Sequence, residues 1–349
     1  MPSIPGYRNG RHPTADKMNQ PFKQKTVLKV SGLKTHFFTS EGVMKAVDGV
    51  DLEVKSGEVI GIVGESGCGK SVTALSILRL IQSPPGRILG GVIEFQGQDI
   101  RTLSDREIRK IRGEKISMIF QDPLTSLNPV LKIGYQIAEV FRFHQGLDRA
   151  KALAASINML KATEIRSPEE VVFRYPHELS GGMRQRVMIA MALACKPALL
   201  IADEPTTALD VTVQAQVLKL IKQLCREHDT SVMLITHDMG VVAYMCQQVA
   251  VMYAGRVVEN TDVFSLFNTP AHPYTEGLLF SLPRLGGKQR RLASISGQPP
   301  HLHRLPPGCS FSPRCRYVQA KCRNEAPELI SVHEGHRVRC HYPITREDQ

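Results

Sequence analysis

Residues 64–71 have the types and spacing that bind a polyphosphate, Gly-x-x-x-x-Gly-Lys-Ser. A glycine-rich turn between a strand and a helix points backbone N–H groups into one concavity, which favours anions. Lys70 would add positive charge for the phosphates, and the Ser71 hydroxyl would ligate Mg²⁺. The alternative is a glycine-rich turn without a ligand. The residues expected at the phosphates are Gly64, Glu65, Ser66, Gly67, Cys68, Gly69, Lys70, Ser71 and Val72.

Cys68 lies inside this turn, at the predicted N-terminus of a helix and close to Lys70. Both features stabilise a thiolate, so a lowered pKa is expected for its thiol. The alternative is a small residue that merely fits the turn.

The acidic pair Asp203 and Glu204 follows the apolar residues 198–202. An apolar run that ends in an acid is typical of a buried parallel strand, which delivers a carboxylate to the ligand-binding edge of the sheet. Asp203 would orient Mg²⁺, and Glu204 would act as a base toward an attacking water. An acidic loop after a strand is the alternative.

Ser180, Gly181 and Gly182 form a candidate second anion site. Ser180 is a helix-capping residue type, and residues 183–194 have helical composition, so a helix would begin at the glycines. Alone, the tripeptide is more typical of a loop than of a ligand site. Its position shortly before Asp203 and Glu204 makes the combination specific.

These groups require a sheet whose strands end at one edge. Residue patterns predict strands at 26–30, 37–38, 50–54, 58–63, 116–122, 198–203, 231–236 and 248–253. They predict helices at 72–80, 133–142, 148–163, 168–173, 183–194 and 211–227, with a short helix within 99–114. Strands that alternate with helices indicate an α/β fold with a parallel sheet, and residues 124–190 would form an inserted helical subdomain.

Together, these motifs resemble the nucleotide-binding subunit of an ABC transporter over residues 26–280. Residues 64–71 correspond to its Walker A motif, 199–203 to Walker B and 180–182 to its signature, in which Met183 replaces the usual Gln. The resemblance adds the Q-loop residue Gln121, the D-loop residues Ala208, Leu209 and Asp210, the switch histidine His237, and Phe37 as the aromatic that stacks on adenine, with Phe38 adjacent.

The resemblance implies a P-loop NTPase fold and an ATPase that uses ATP and Mg²⁺. Its catalytic residues would be Glu204, His237, Gln121 and Lys70, and its Mg²⁺ ligands Ser71, Gln121 and Asp203. The implied partners are a second ATPase subunit, whose signature completes each site, and two transmembrane permease chains. An extracytoplasmic substrate-binding protein would act through those chains.

Composition sets further limits. A length of 349 residues suggests two domains. The chain has no apolar run of transmembrane length, and residues 1–25 lack the apolar core of a signal peptide. We therefore expect a soluble protein on the cytoplasmic face of the inner membrane. The net charge of +11 falls in residues 1–25, a polar tail, and in residues 281–349; this basic excess suits an anionic membrane or a nucleic acid.

Residues 281–349 would form a small C-terminal extension with four cysteines spaced C-x5-C-x6-C-x17-C. Disulfides are unusual in the cytosol, so this cluster predicts a metal site on Cys309, Cys315, Cys322 and Cys340. Nearby cations would offset the charge of four thiolates: Arg314, Arg316, Lys321, Arg323 and Arg339.

The His-Pro-Tyr-Thr segment at 272–275 and this tail are similar to the peptide-import branch of ABC ATPases, the dipeptide and oligopeptide permease subunits. The resemblance implies peptide uptake and a [4Fe–4S] cluster on the four cysteines, while zinc and metal-free thiols stay open. Import of nickel, glutathione or antimicrobial peptides is an alternative, because the ATPase never touches the cargo. A non-transport ABC ATPase that acts on nucleic acid is a second, although residues 121–180 are too few for a long coiled coil.

Overall fold

The computed structural model describes residues 25–122, 126–207, 209–281 and 295–344. Most of the predicted tail at 1–25 lies outside these ranges, as do Ala208 of the expected D-loop, the first residue of the expected helical subdomain and parts of the expected C-terminal extension. No helix among the described residues is long and apolar enough to cross a membrane.

Strands and helices alternate along most of the chain. The strands are β1 (Thr26–Thr39), β2 (Gly42–Lys55), β3 (Val59–Val63), β4 (Gly86–Phe95), β5 (Gln98–Asp99), β6 (Ile116–Ile119), β7 (Leu199–Asp203), β8 (Ser231–Thr236), β9 (Gln248–Tyr253), β10 (Arg256–Asp262), β11 (Ile330–His333) and β12 (His336–Val338). The helices are α1 (Lys70–Ile77), α2 (Asp105–Ile111), α3 (Ile133–Gln145), α4 (Arg149–Ala162), α5 (Pro168–Val171), α6 (Gly181–Leu193), α7 (Val211–Glu227), α8 (Met239–Met245), α9 (Val263–Asn268), α10 (Pro273–Phe280) and α11 (Ala320–Asn324). The predicted α/β class is confirmed.

The described strands form two sheets. The smaller is antiparallel, in the order β2-β1-β4-β5, and the larger runs β11-β12-β10-β9-β3-β8-β7-β6. In the larger sheet β9, β3, β8, β7 and β6 are parallel neighbours, as the alternation of strands and helices predicts. Their carboxyl ends therefore lie at the same edge.

The central strands are buried on both faces, which explains their unbroken apolar sequence. Along β3, Ile60 and Ile62 pack into one apolar cluster, while Val59 and Val63 pack into another on the opposite face. The sheet thus separates two cores. Charged or polar side chains are tolerated only where these strands end.

The helices predicted before and after the Asp203–Glu204 pair exist, most of them with shifted ends. Asp148 caps α4 by accepting a hydrogen bond from the Lys151 amide at 2.9 Å, and Asp210 caps α7 in the same way. The strand predicted at 116–122 ends at Ile119, because the chain leaves the pairing with β7 before Gln121. Residues after Gly255, for which no strand was predicted, form β10, and β12 pairs with it.

A buried carboxylate joins β10 to the C-terminal strands. Glu259 is fully buried, and its Oε1 lies 2.7 Å from both the Ala271 amide and His336 Nε2. Its Oε2 accepts from the His272 amide at 2.9 Å. Three partners therefore compensate the desolvation of one carboxylate, and they connect the sheet to the loop before α10 and to β12.

We predict that Glu259→Gln lowers the free energy of unfolding by about 2–3 kcal/mol, because an amide NH₂ would then face a donor in a buried site. Glu53→Gln is the matched control: Glu53 is exposed on β2 and accepts from the Thr26 hydroxyl, which a Gln oxygen also accepts. Its effect should stay within about 0.5 kcal/mol. Thermal unfolding of both variants, followed by circular dichroism, checks this; equal midpoints would contradict it.

Candidate functional site

The turn between β3 and α1 lies against neighbouring backbone so closely that it requires glycine. Gly64 and Gly69 have φ values of 151° and 106°. A Cβ at Gly64 would lie 2.2 Å from the Met252 carbonyl oxygen, and one at Gly69 equally close to that of Ala46. Both the conformation and the space exclude other residue types, so the turn keeps a fixed shape.

Lys70 crosses the inside of this turn. Its Nζ donates to the carbonyl oxygens of Gly64 at 2.8 Å and Glu65 at 3.0 Å, and only 6% of the residue is exposed. Ser66 and Gly67, at the tip, are exposed. A buried cation below an exposed loop of N–H groups is a suitable receptor for a polyphosphate.

Ser71 and Asp203 meet at the carboxyl edge of the sheet. The Ser71 hydroxyl is close enough to the Asp203 carboxylate to lower its pKa, and Asp203 Oδ1 is buried without a hydrogen-bond partner among the described residues. Burial, with repulsion from Glu204, raises the pKa of Asp203 although Ser71 and Lys70 oppose it. A hydroxyl and an orphaned carboxylate oxygen are hard ligands, so these residues fit Mg²⁺.

Glu204 collects polar partners from three segments. Its Oε2 accepts from Gln121 Nε2 at 3.1 Å and from the Thr207 hydroxyl at 2.8 Å. Its Oε1 lies 3.2 Å from His237 Nδ1. The structure thus brings together Glu204, Gln121 and His237, three of the four residues expected to be catalytic. Thr207 was missed, although a hydroxyl three residues after an acid is a local signal that could have found it.

The environment of Glu204 keeps it ionised. Burial alone would raise its pKa, but hydrogen bonds from Thr207 and His237 outweigh burial and lower it. Its backbone is left-handed, with φ of 46°, and its amide donates to the Ile235 carbonyl at 2.9 Å. The arrangement presents a charged acceptor at the sheet edge.

Ser180 caps α6, as predicted, by accepting a hydrogen bond from the Met183 amide at 3.3 Å. Ser180 and Gly181 are exposed. Among the described residues, the segment 180–182 makes no hydrogen bond or ion pair with residues 64–71. The structure therefore leaves this helix N-terminus open to solvent and apart from the polar network of the phosphate loop.

The two adjacent aromatics on β1 differ in environment. Phe37 is half-buried, and a Cβ at Gly86 would lie 2.9 Å from its ring. Phe38 is 43% exposed, with the Arg87 guanidinium 5.5 Å from its ring centre. The assignment of Phe37 to adenine stays a prediction.

Cys68 requires a correction. The sequence predicted a lowered pKa, but the residue is only 5% exposed and burial raises the pKa of its thiol. Lys70 opposes this shift without reversing it. The helix begins at Lys70, after Cys68, and the buried thiol lies 3.9 Å from Lys70 Nζ and close to Gly64. Desolvation of the thiolate is therefore the larger effect.

The four cysteines of the C-terminal segment also require a correction. They line one small cavity of about 10 Å³ with His272 and Phe311. That volume holds at most one water molecule. No group of three or more His, Cys, Asp or Glu side chains in the described part of the chain could hold a metal ion. This contradicts the predicted [4Fe–4S] cluster on Cys309, Cys315, Cys322 and Cys340, and its zinc alternative.

One physical feature agrees with this correction. Two of the cations expected to offset thiolate charge pair with carboxylates instead: Arg314 with Glu65, and Arg316 with Glu276. Sequence spacing alone could not show this.

Two protein families match the chain. Residues 47–207 match the ABC transporter family, and residues 258–322 match the oligopeptide/dipeptide transporter, C-terminal region. A probable peptide ABC transporter ATP-binding protein of Sinorhizobium fredii is 53% identical, over 93% of this chain and 97% of that protein. An oligopeptide transport ATP-binding protein of Bacillus subtilis is 51% identical, over 90% and 96%.

Further similarity extends to other bacteria and to solved structures. A dipeptide transport ATP-binding protein of Escherichia coli is 47% identical, over 91% of this chain and 97% of its own. One similar solved structure is a dimeric ATP-binding cassette in a post-hydrolysis state, bound to ADP and Pi. It has a TM-score of 0.61 at 28% identity, and the match covers 68% of this chain and 98% of that one. The expected fold of an ABC cassette is thereby confirmed.

We predict that Cys68 in the native chain reacts with iodoacetamide more slowly than Cys195, which is half-buried. Burial raises the pKa of both thiols, but Cys68 is only 5% exposed, so the reagent reaches it more slowly. Mass spectrometry of digested samples measures both rates, with chain unfolded in guanidinium as the control, where the two should converge. If Cys68 is labelled faster than Cys195 and ATP–Mg²⁺ prevents this labelling, the lowered pKa expected from the sequence would be supported instead.

Proposed function

The chain belongs to the ABC transporter family, and we propose on that premise that it hydrolyses ATP to power uptake of di- and oligopeptides through separate permease subunits. The observation that carries the catalytic part is the ionised Glu204 carboxylate, which Gln121, Thr207 and His237 hold at the sheet edge. The match of residues 258–322 to a peptide-transporter region supports the cargo. We further propose that residues 26–280 form an ATPase domain and residues 281–349 a C-terminal extension.

In the proposed reaction, the oxygen of a water molecule bonds to the γ-phosphorus of ATP while the bond from that phosphorus to the bridging oxygen breaks, which releases ADP and inorganic phosphate. Glu204 accepts a proton from that water. His237 contacts the Glu204 carboxylate and fixes the orientation of that carboxylate. Lys70 and the N–H groups of the loop stabilise the phosphoryl charge. Ser71 and Asp203 would hold Mg²⁺, with Gln121 as a further ligand, and the bound ion would neutralise phosphate charge.

A second ATPase subunit is the proposed partner at the nucleotide. The exposed N-terminus of α6, with Ser180, Gly181 and Gly182, makes no polar contact with the chain's own loop, so its donors are free for a partner's nucleotide. A structurally similar cassette is described as dimeric and bound to ADP and Pi. Each site would then combine one subunit's loop with the other's signature.

Permease chains are the proposed partners in the membrane, and this chain would bind them at the cytoplasmic face of the inner membrane. An exposed apolar surface within residues 130–175, which follow Gln121 in the chain, supports a contact with the permease. It exposes Val130 by 75%, Phe173 by 58% and Tyr135 by 50%, around a cavity of about 530 Å³. Contiguous exposed apolar side chains are typical of a protein interface. Gln121, bonded to Glu204, would connect this interface to the nucleotide.

In membranes that contain the matching permease chains, we predict ATP-dependent uptake of labelled di- and oligopeptides. Glu204→Gln should reduce both uptake and ATP hydrolysis by about 10²-fold or more while ATP binding persists, because loss of a general base has this effect. ATP binding is measured by equilibrium dialysis, and hydrolysis by phosphate release.

Glu170→Gln, a change at an exposed position of α5, serves as the matched control and should leave all three readings unchanged. Hydrolysis by Glu204→Gln above about 10% of wild type would remove Glu204 from the role of base. Uptake of nickel, glutathione or antimicrobial peptides in place of di- and oligopeptides would replace the cargo and leave the ATPase assignment in place.

We also predict that Ser180→Arg acts in trans. In a mixed assembly that carries the change in this chain alone, hydrolysis at the partner's loop should fall by about tenfold or more, because the bulky cation displaces a phosphate donor. Single-turnover hydrolysis, with each loop inactivated in turn by its own Lys→Ala change, separates the two sites. Damage confined to nucleotide held by this chain's Lys70 would refute the trans arrangement.

A further inference from the structure

The second residue of the phosphate loop is bound by an arginine 249 positions later. Arg314 Nη1 donates to Glu65 Oε2 at 2.6 Å, and Nη2 donates to Oε1 at 2.9 Å. The Arg314 side chain is 4% exposed, and that of Glu65 is 27% exposed. A bidentate, largely buried pair of this kind has both strength and a defined geometry.

The backbone of the same loop residue is also bound from the C-terminal part of the chain. The Glu65 amide donates to the Tyr274 hydroxyl at 2.8 Å. Tyr274, on α10, is fully buried, and its ring packs 4.6 Å from that of Tyr253 and 5.4 Å from that of Phe311. The aromatic packing fixes the hydroxyl, so this acceptor does not move with the loop.

Arg314 is itself held in place. Its Nε donates to the Ser296 carbonyl at 3.1 Å, and its Nη1 lies 3.5 Å from the Tyr253 hydroxyl. On the other side, the Glu65 carbonyl accepts from Lys70 Nζ. A continuous series of hydrogen bonds therefore leads from Ser296 through Arg314 and Glu65 to the cation of the phosphate loop.

We propose that Tyr274, on α10, and Arg314, in the C-terminal extension, are positioning residues for the phosphate loop and that they set its affinity for ATP. Both residues fix Glu65, one at its side chain and one at its amide, and so hold the loop in its binding shape before nucleotide arrives. Binding of ATP then costs less conformational entropy. The proposal rests on the assignment of residues 64–71 to the nucleotide.

The test uses the full chain and ATP–Mg²⁺ as the probe. Arg314→Gln and Glu65→Gln each remove the ion pair, and Tyr274→Phe removes one hydroxyl from a ring of the same shape. We expect each to raise the dissociation constant and KM for ATP, by about tenfold for the two ion-pair variants and about threefold for Tyr274→Phe, with kcat changed less.

Arg316→Gln is the matched control, because Arg316 lies two residues away and pairs with Glu276, not with the loop. It should leave KM within about twofold of wild type, because the Arg316 side chain is 59% exposed and its ion pair is with Glu276 and not with a residue of the loop. The Arg314→Gln/Glu65→Gln double variant should lose no more affinity than the worse single variant, since both remove one contact. Arg314→Lys should restore part of the affinity.

Additive losses in the double variant, or an unchanged KM in all ion-pair variants that melt at the wild-type temperature, would overturn the proposal. Should Arg314→Gln fail to fold, Tyr274→Phe and Arg314→Lys still decide it. Lys70→Ala separates the proposal from its premise: if that variant binds ATP as tightly as wild type, residues 64–71 are not the site and the assignment itself fails.

Discussion

The carboxyl edge of a sheet buried on both faces is the constraint on which the site depends. Within β3, β7 and β8 almost every position is apolar, because a polar side chain there would lose its water without a partner. Chemistry is therefore confined to the points where these strands end. Gly64 follows β3, Asp203 closes β7 and His237 follows β8, and parallel pairing brings these ends together.

Two neighbouring carboxylates at this edge acquire opposite properties from their surroundings. Asp203 ends a buried strand, and burial, together with repulsion from Glu204, raises its pKa. A bound cation would stabilise the charged form of this carboxylate. Glu204 turns out of the sheet through a left-handed backbone, and Thr207 and His237 lower its pKa. One residue is thereby suited to bind a metal, while the next stays ionised, the form in which a carboxylate can bind and orient a water; environment alone produces this division.

The parts of the site that sequence could predict are those in which cause and effect are local. A glycine-rich turn, an acid after an apolar run and a serine before two glycines each depend on a few adjacent residues, and the structure places Lys70, Asp203 and Ser180 accordingly. Burial is not local. The thiol of Cys68 is desolvated by the fold around it, and spacing did not reveal how the four C-terminal cysteines pack. The strand β12 escaped prediction because its pairing with β10 spans most of the C-terminal segment.

Charge, like burial, depends on contacts that are distant in sequence. The basic excess of residues 281–349 suggested an anionic surface as its partner, yet Arg314 lies buried against Glu65, and the exposed Arg316 pairs with the buried carboxylate of Glu276. Glu259 meets His336 from the same segment inside the protein. Net charge counts residues and not their partners, so a basic segment can direct its cations inward. Here one of those cations reaches the loop that carries Lys70, which makes the segment part of the site's architecture and not an appendage to it.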